Sequence, residues 1–286
     1  HVYFMNLYHI SLNLIKEKLA ASGKHFPSLL LKVDSEAVCK NIDTLLESVG
    51  GVVLSRRPLA LSIHPATVPI VCKEIISKAT QRSKIVLVSS ETLHSMKRNL
   101  TPTRAEVSDI ANSAVDGIDA IVLSKEIAYG GHIKEALAVA QKTIQAAESS
   151  ADLKANWLKT RKNSKDFLEV IAYHACKTAE NLQAKALVCL TKEGTTALHI
   201  ASYRPKMPIF ALTFAEKTKR RLSLVRGVRP VCLGKKPNLD DLLPVVQKVL
   251  LDCELLKRKD LFVFVTPSLS PLSQETSNLF TIQEIT

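Results

Sequence analysis

Apolar positions along the first half of the chain follow two alternating rhythms. Short apolar runs at residues 2–7, 26–33, 51–54, 84–88 and 118–123 predict strands. Between them, apolar residues recur every three to four positions, as on one face of a helix. Leu12, Ile15 and Leu19 mark such a face over residues 11–21, and further helices are expected over 35–49, 70–80 and 131–149. Two prolines make residues 64–69 a loop, and residues 55–59 read as a basic, proline-stiffened loop. Residues 150–163 are a polar connector around the single Trp157 and place a domain boundary near 150. Beyond it the alternation resumes. Helices are expected over 166–181, 195–203, 215–225 and 239–256, and strands over 184–190, 208–213, 228–233, 261–266 and 279–285. A Ser/Pro-rich loop, 267–277, separates the last two strands. Strand-helix alternation with apolar strands is the pattern of a parallel sheet or barrel.

One segment, residues 100–124, is specified at every step. Thr103 and Glu106 stand in capping-box spacing, with Pro102 just ahead of the helix. Val107, Ile110, Ala111, Ala114 and Val115 form the apolar face, and Gly117 stands where a left-handed stop is wanted. The apolar run that follows predicts a strand covered on both faces.

Composition narrows the function classes. The chain has 286 residues, 46% of them hydrophobic and 23% charged, with a formal net charge of +12. This excludes a disordered chain. The basic residues are scattered apart from short clusters at 161–165, 217–221 and 257–259, and only 5% of residues are aromatic. Solvated helix faces or anionic metabolites account for that charge better than a nucleic-acid groove. The nine glycines are under half of the roughly 7% average usage, which disfavours phosphate-wrapping loops. Six cysteines without a C-x-x-C pair read as buried, reduced thiols of an intracellular protein. No run is long enough to span a membrane, and no signal peptide is recognisable.

Pro102-Thr-Arg-Ala-Glu-Val-Ser-Asp-Ile-Ala-Asn112 followed by Asp116-Gly-Ile-Asp-Ala-Ile-Val-Leu-Ser124 closely resembles the late barrel segment of pyruvate kinases. Residues 184–197, Tyr203-Arg-Pro-Lys-Met-Pro-Ile-Phe-Ala-Leu-Thr213 and Arg226-Gly-Val-Arg-Pro-Val231 resemble that family's C-terminal domain, in the family's order. The resemblance implies an α/β fold: a partial (β/α)8 TIM-type barrel over 1–150, then a doubly wound α/β domain over 151–286. The early barrel strands and the inserted nucleotide-closing domain have no counterpart here, so a sheet with open edges is expected.

The resemblance also implies chemistry. Family members move a phosphoryl group between phosphoenolpyruvate and ADP, giving pyruvate and ATP in glycolysis, with Mg2+ and K+. Leu30-Leu-Lys-Val-Asp34 is similar to the family strand ending in Lys-Ile-Glu. Lys32 would then meet the transferring phosphoryl and Asp34 would bind the metal. Two residues apart on a strand, they share a face, and read without the resemblance they are a solvated pair. Ser55-Arg-Arg-Pro58 stands where the family has Ala-Arg-Gly-Asp, so Arg56 matches the substrate-binding arginine. Arg57 replaces the glycine whose backbone approaches substrate, and Pro58 replaces the second metal carboxylate. Ser90 takes the place of the threonine near the proton-transfer path, or is an ordinary helix cap. Glu126 keeps the substrate-site glutamate of Leu-Ser-Gly-Glu-Thr-Ala, while Lys125 and Ile127 depart from it. In the second domain Thr191, Lys192, Thr195 and Thr196 match a loop that holds a sugar-phosphate effector, against a plain capped helix. Glu193 in that loop would repel phosphate.

These departures imply a pyruvate kinase-like protein with impaired catalysis. The alternative is an inactive structural or regulatory relative that assembles with active subunits. A homo- or hetero-oligomer is expected, without membrane or nucleic acid, in the cytoplasm or a plastid.

Overall fold

Parallel strands in strict sequence order build the first sheet. They are β1 (Val2–Met5), β2 (Ser28–Val33), β3 (Gly51–Leu54), β4 (Ile85–Ser89) and β5 (Ala120–Val122). The computed structural model describes residues 2–5, 17, 28–89, 92–150, 166–234, 242–267 and 277–286. The chain divides into two compact units, His1–Ala155 and Asn156–Thr286. The expected helix over 11–21 and the connector over 150–163 fall almost wholly outside the described residues, as does most of the 267–277 loop.

In the first unit the sheet is dressed by α1 (Glu36–Lys40), α2 (Ile42–Ser48), α3 (Arg56–Ser62), α4 (Val68–Gln81), α5 (Arg104–Asp116), α6 (Lys125–Ala128) and α7 (Ile133–Ser149). Period-two alternation splits the strand residues between two faces. Leu31, Val52 and Val86 lie side by side in register, as do Val33, Leu54 and Val88. All six enter one core with Val38, Leu46, Ile75 and Ile76 of the helices. Leu30, Val53, Ile85 and Leu87, one residue out of phase, are buried as well. Both faces of β3 and β4 are therefore covered, as central parallel strands require.

Three expectations are corrected. The single helix over 35–49 is two, because Asn41 turns aside between α1 and α2 and its side-chain amide donates to the Ala37 carbonyl at 2.9 Å. Asn and Asp side chains compete with helical backbone bonds in this way. The loop over 55–59 is instead the start of α3, with Pro58 in its first turn, where no N–H needs an intrahelical partner. β5 is only half-buried, since it pairs with β4 alone at the end of the strand order.

The capping box forms in full. Thr103 Oγ1 accepts from the Glu106 N–H, and the Glu106 carboxylate accepts from the Thr103 N–H at 2.8 Å. Gly117 ends α5 at φ 91°, a left-handed conformation that costs glycine nothing. Glu106 also accepts from the Ser95 N–H at 2.8 Å, tying the 3-10 turn His94–Lys97 to α5.

The second unit holds β6 (Ala186–Leu190), β7 (Ile209–Thr213), β8 (Val228–Cys232), β9 (Leu261–Pro267) and β10 (Ser277–Glu284), in the order β10-β9-β6-β7-β8. Only β10 is antiparallel. Its helices are α8 (Phe167–Asn181), α9 (Thr195–Ser202), α10 (Glu216–Leu222) and α11 (Leu242–Asp252). Small buried residues of α8, namely Ala172, Ala175, Cys176 and Ala179, let that helix sit close to the sheet. The chain winds outward both ways from β6, so the strand order reverses there. Ligands of doubly wound sheets bind at the carboxyl end of such a switch point.

Candidate functional site

The pairing register brings the carboxyl ends of four strands to one level: Val33 beside Leu54, Leu54 beside Val88, and Val88 beside Ile121. Asp34, Arg56 and Glu126 all follow these ends in the chain, at the edge where β/α folds carry chemistry. Ser90 follows β4 and lies outside the described residues.

Lys32 and Asp34 do meet. Nζ lies 3.5 Å from Oδ2, with the lysine side chain 35% exposed and the aspartate 4%. Asp34 Oδ1 is buried and makes no hydrogen bond among the described residues. A buried carboxylate oxygen left unpaired is costly unless a cation or donor reaches it.

Arg56 reaches across to α5. Both its terminal nitrogens engage both carboxylate oxygens of Asp109 on α5, with Nη2 and Oδ2 2.5 Å apart. Arg57 and Pro58 are exposed on the first turn of α3. Glu126, on the short α6, is fully buried, and among the described residues neither of its oxygens is hydrogen-bonded. Asp109 is the partner of Arg56 that sequence reasoning missed. It stands 53 residues from Arg56, and its local signal is that of any polar helix position.

Divalent-metal chemistry tests this arrangement directly. Asp34 supplies one oxygen unpaired among the described residues, but the Pro58 side chain has no ligand atom. Among the described residues no group of three or more His, Cys, Asp or Glu is placed to hold a metal ion. The donor set does not fit a two-carboxylate magnesium centre.

In the second unit the loop after β6 lies at the switch point. Thr191 Oγ1 accepts from the Gly194 N–H at 2.9 Å, and the Lys192 carbonyl accepts from Thr218 Oγ1 at 2.8 Å. The Glu193 carbonyl accepts from Arg221 Nη1 at 3.3 Å. Burial draws the Arg221 guanidinium below its ordinary range, and the nearby Glu193 partly offsets this. Thr195 is exposed at the start of α9, and Thr196 is buried. Much of the loop's polarity is thus spent within the protein, while Lys192 and Thr195 face outward.

Two family profiles match the chain. "Pyruvate kinase, barrel domain" matches residues 10–137, and "Pyruvate kinase, alpha/beta domain" matches residues 169–282. The chain is 33% identical over 273 residues to the pyruvate kinase of Clostridium acetobutylicum, covering 95% of this chain and 57% of that one. It is 37% identical over 220 residues to the pyruvate kinase of Thermotoga maritima, covering 77% of this chain and 46% of that one. The crystal structure of a pyruvate kinase from Cryptosporidium parvum superposes with a TM-score of 0.88 at 24% identity. That match covers 99% of this chain and 58% of the other and shows a shared fold. The chain therefore spans about half the length of the relatives it matches.

Proposed function

From the premise that the chain belongs to the pyruvate kinase family, we propose that it is part of a phosphotransferase-type protein whose phosphoenolpyruvate and metal centre is impaired. One observation carries this reading. The segment that should bring a second carboxylate and a close backbone approach is the helix α3, with Arg57 and Pro58 exposed and Arg56 held by Asp109. In this reading Lys32 retains the cationic role toward the transferring phosphoryl, since a solvent-facing ammonium can neutralise spread phosphate charge. Asp34 keeps Lys32 oriented and offers a single anionic oxygen. Glu126 lies buried just beyond the end of β5. Family membership implies Mg2+ and K+ together with phosphoenolpyruvate and ADP or ATP.

A coupled assay of the full-length protein, with phosphoenolpyruvate, ADP, Mg2+ and K+, tests the reading. Negligible turnover is expected. Rates near the roughly 1–100 s⁻¹ usual for kinases would overturn it. Arg57→Gly combined with Pro58→Asp should raise Mn2+ affinity, and an unchanged titration would count against the site assignment.

Exposed apolar side chains favour the second reading, a structural or regulatory relative that assembles with other subunits. Leu61 is 88% exposed and Ile70 66%, within one stretch of the first unit. Co-expression with an active pyruvate kinase, followed by sizing, distinguishes a mixed oligomer from separate species. Among the described residues no helix is long and apolar enough to cross a membrane.

A further inference from the structure

A cavity of about 540 Å3 opens on the helical side of the first unit, between α1, the end of α3 and α4. It falls within the roughly 300–1,000 Å3 of small-molecule sites. Ile63, Val71 and Ile75 give it an apolar surface, while Glu36 and Glu74 bring carboxylates from two different helices. The Glu36 N–H donates to Ser62 Oγ at 2.7 Å, which fixes one wall against the other. Among the described residues each carboxylate is engaged only by a lysine four residues along its own helix, Glu36 with Lys40 at 2.8 Å and Glu74 with Lys78 at 2.9 Å. Exposed pairs of this kind have little net strength, so a ligand cation can replace the lysine at small cost.

We propose that this cavity is a binding site for a small organic amine, with the apolar body against Ile63, Val71 and Ile75 and the ammonium shared between Glu36 and Glu74. Two further features agree. Cys39 lines the same cavity, and burial, then Glu36, Asp34 and Glu74, hold its thiol above the ordinary range. His64 Nδ1 accepts from the Ala66 N–H at 3.3 Å, which leaves Nε2 as a donor for a hydroxyl or carbonyl on the same ligand. The site involves none of the phosphoryl-transfer residues, although α1 begins two residues after Asp34.

Cys39 is a built-in reporter. Iodoacetamide labelling of the 286-residue chain at mildly alkaline pH, followed by peptide mass spectrometry, would be run with 2-phenylethylamine, 2-phenylethanol or phenylacetate. The amine should slow Cys39 labelling about tenfold at ten times its half-saturating concentration, with exposed Cys253 unaffected. The alcohol and the acid should protect weakly or not at all. Glu36→Gln with Glu74→Gln, both at exposed positions, should weaken protection by the amine about tenfold. Equal protection by amine and alcohol, stronger protection by the acid, no protection, or an unchanged double variant would each overturn the assignment. The readout needs neither turnover nor metal, so it stands apart from the outcome of the kinase assay.

Discussion

Arg56 and Asp109 form a two-point ion pair that joins the first turn of α3 to α5, with Nη2 and Oδ2 2.5 Å apart. The guanidinium is 21% exposed and the carboxylate 42%. Solvent therefore screens part of the attraction, and a bidentate pair at such a site is worth about 1 kcal/mol. A double-mutant cycle with Arg56→Gln and Asp109→Asn, read by urea unfolding of the first unit, should return a coupling of that size. A coupling of zero would make the pair a bystander and leave the direction of the Arg56 side chain without an energetic cause.

Glu106 links stability to pH. Desolvation pushes its pKa up, but hydrogen bonds from Ser95 and Thr103 outweigh this, and the carboxyl titrates below its ordinary range. A depressed folded-state pKa contributes stability above the unfolded value, near 4.3, and loses it as pH falls through the folded value. Thermal unfolding of the parent and Glu106→Gln should therefore differ at neutral pH and converge in acid. A difference that grows in acid would contradict this network.

Glycine at 51 is a packing requirement. A Cβ there would lie 2.3 Å from the Ile85 carbonyl oxygen and 2.9 Å from Leu30 Cδ2, between two paired strands. Gly51→Ala should cost about 1–3 kcal/mol, the usual range for forced overpacking. Gly227→Ala meets nothing within 4 Å, at φ 75°, and should cost only the backbone preference of about 1 kcal/mol. Thermal midpoints that rank the two in the opposite order would refute the strand register.

The thiols should react in an order set by burial. Burial pushes Cys72 up to about 11 and Cys189 up to about 12, whereas Cys253 is exposed. Thiolate is the nucleophile, so labelling of the native chain should begin at Cys253, and Cys72, Cys176 and Cys189 should react only on unfolding. Early labelling of Cys189 would mean that the second unit opens locally. The expectation of buried thiols holds for Cys72, Cys176 and Cys189, whereas Cys39 and Cys232 are half-buried and Cys253 follows α11 in an exposed turn.

Locally encoded features were legible in the amino-acid order. The capping box, the Gly117 stop and the strand at residues 51–54 depend on neighbours within a few positions, and all three formed where expected. The Lys32–Asp34 contact was equally accessible, since alternation along one strand places both on one face. The break at Asn41 was harder to see, because a side-chain amide can end a helix whose apolar spacing continues through it.

The chain's own order of residues determined its two α/β units, the family it belongs to and the proline at position 58. Those rest on periodicity, motif wording and side-chain inventory, which need no coordinates. Only the tertiary structure decided that Arg56 turns to Asp109, that Glu126 is buried with both oxygens unpaired among the described residues, and that Glu36 and Glu74 line one cavity. Each depends on groups far apart in the chain meeting in space. Their energetics are set by the water excluded when helices close over a sheet, a quantity that no local stretch of residues carries.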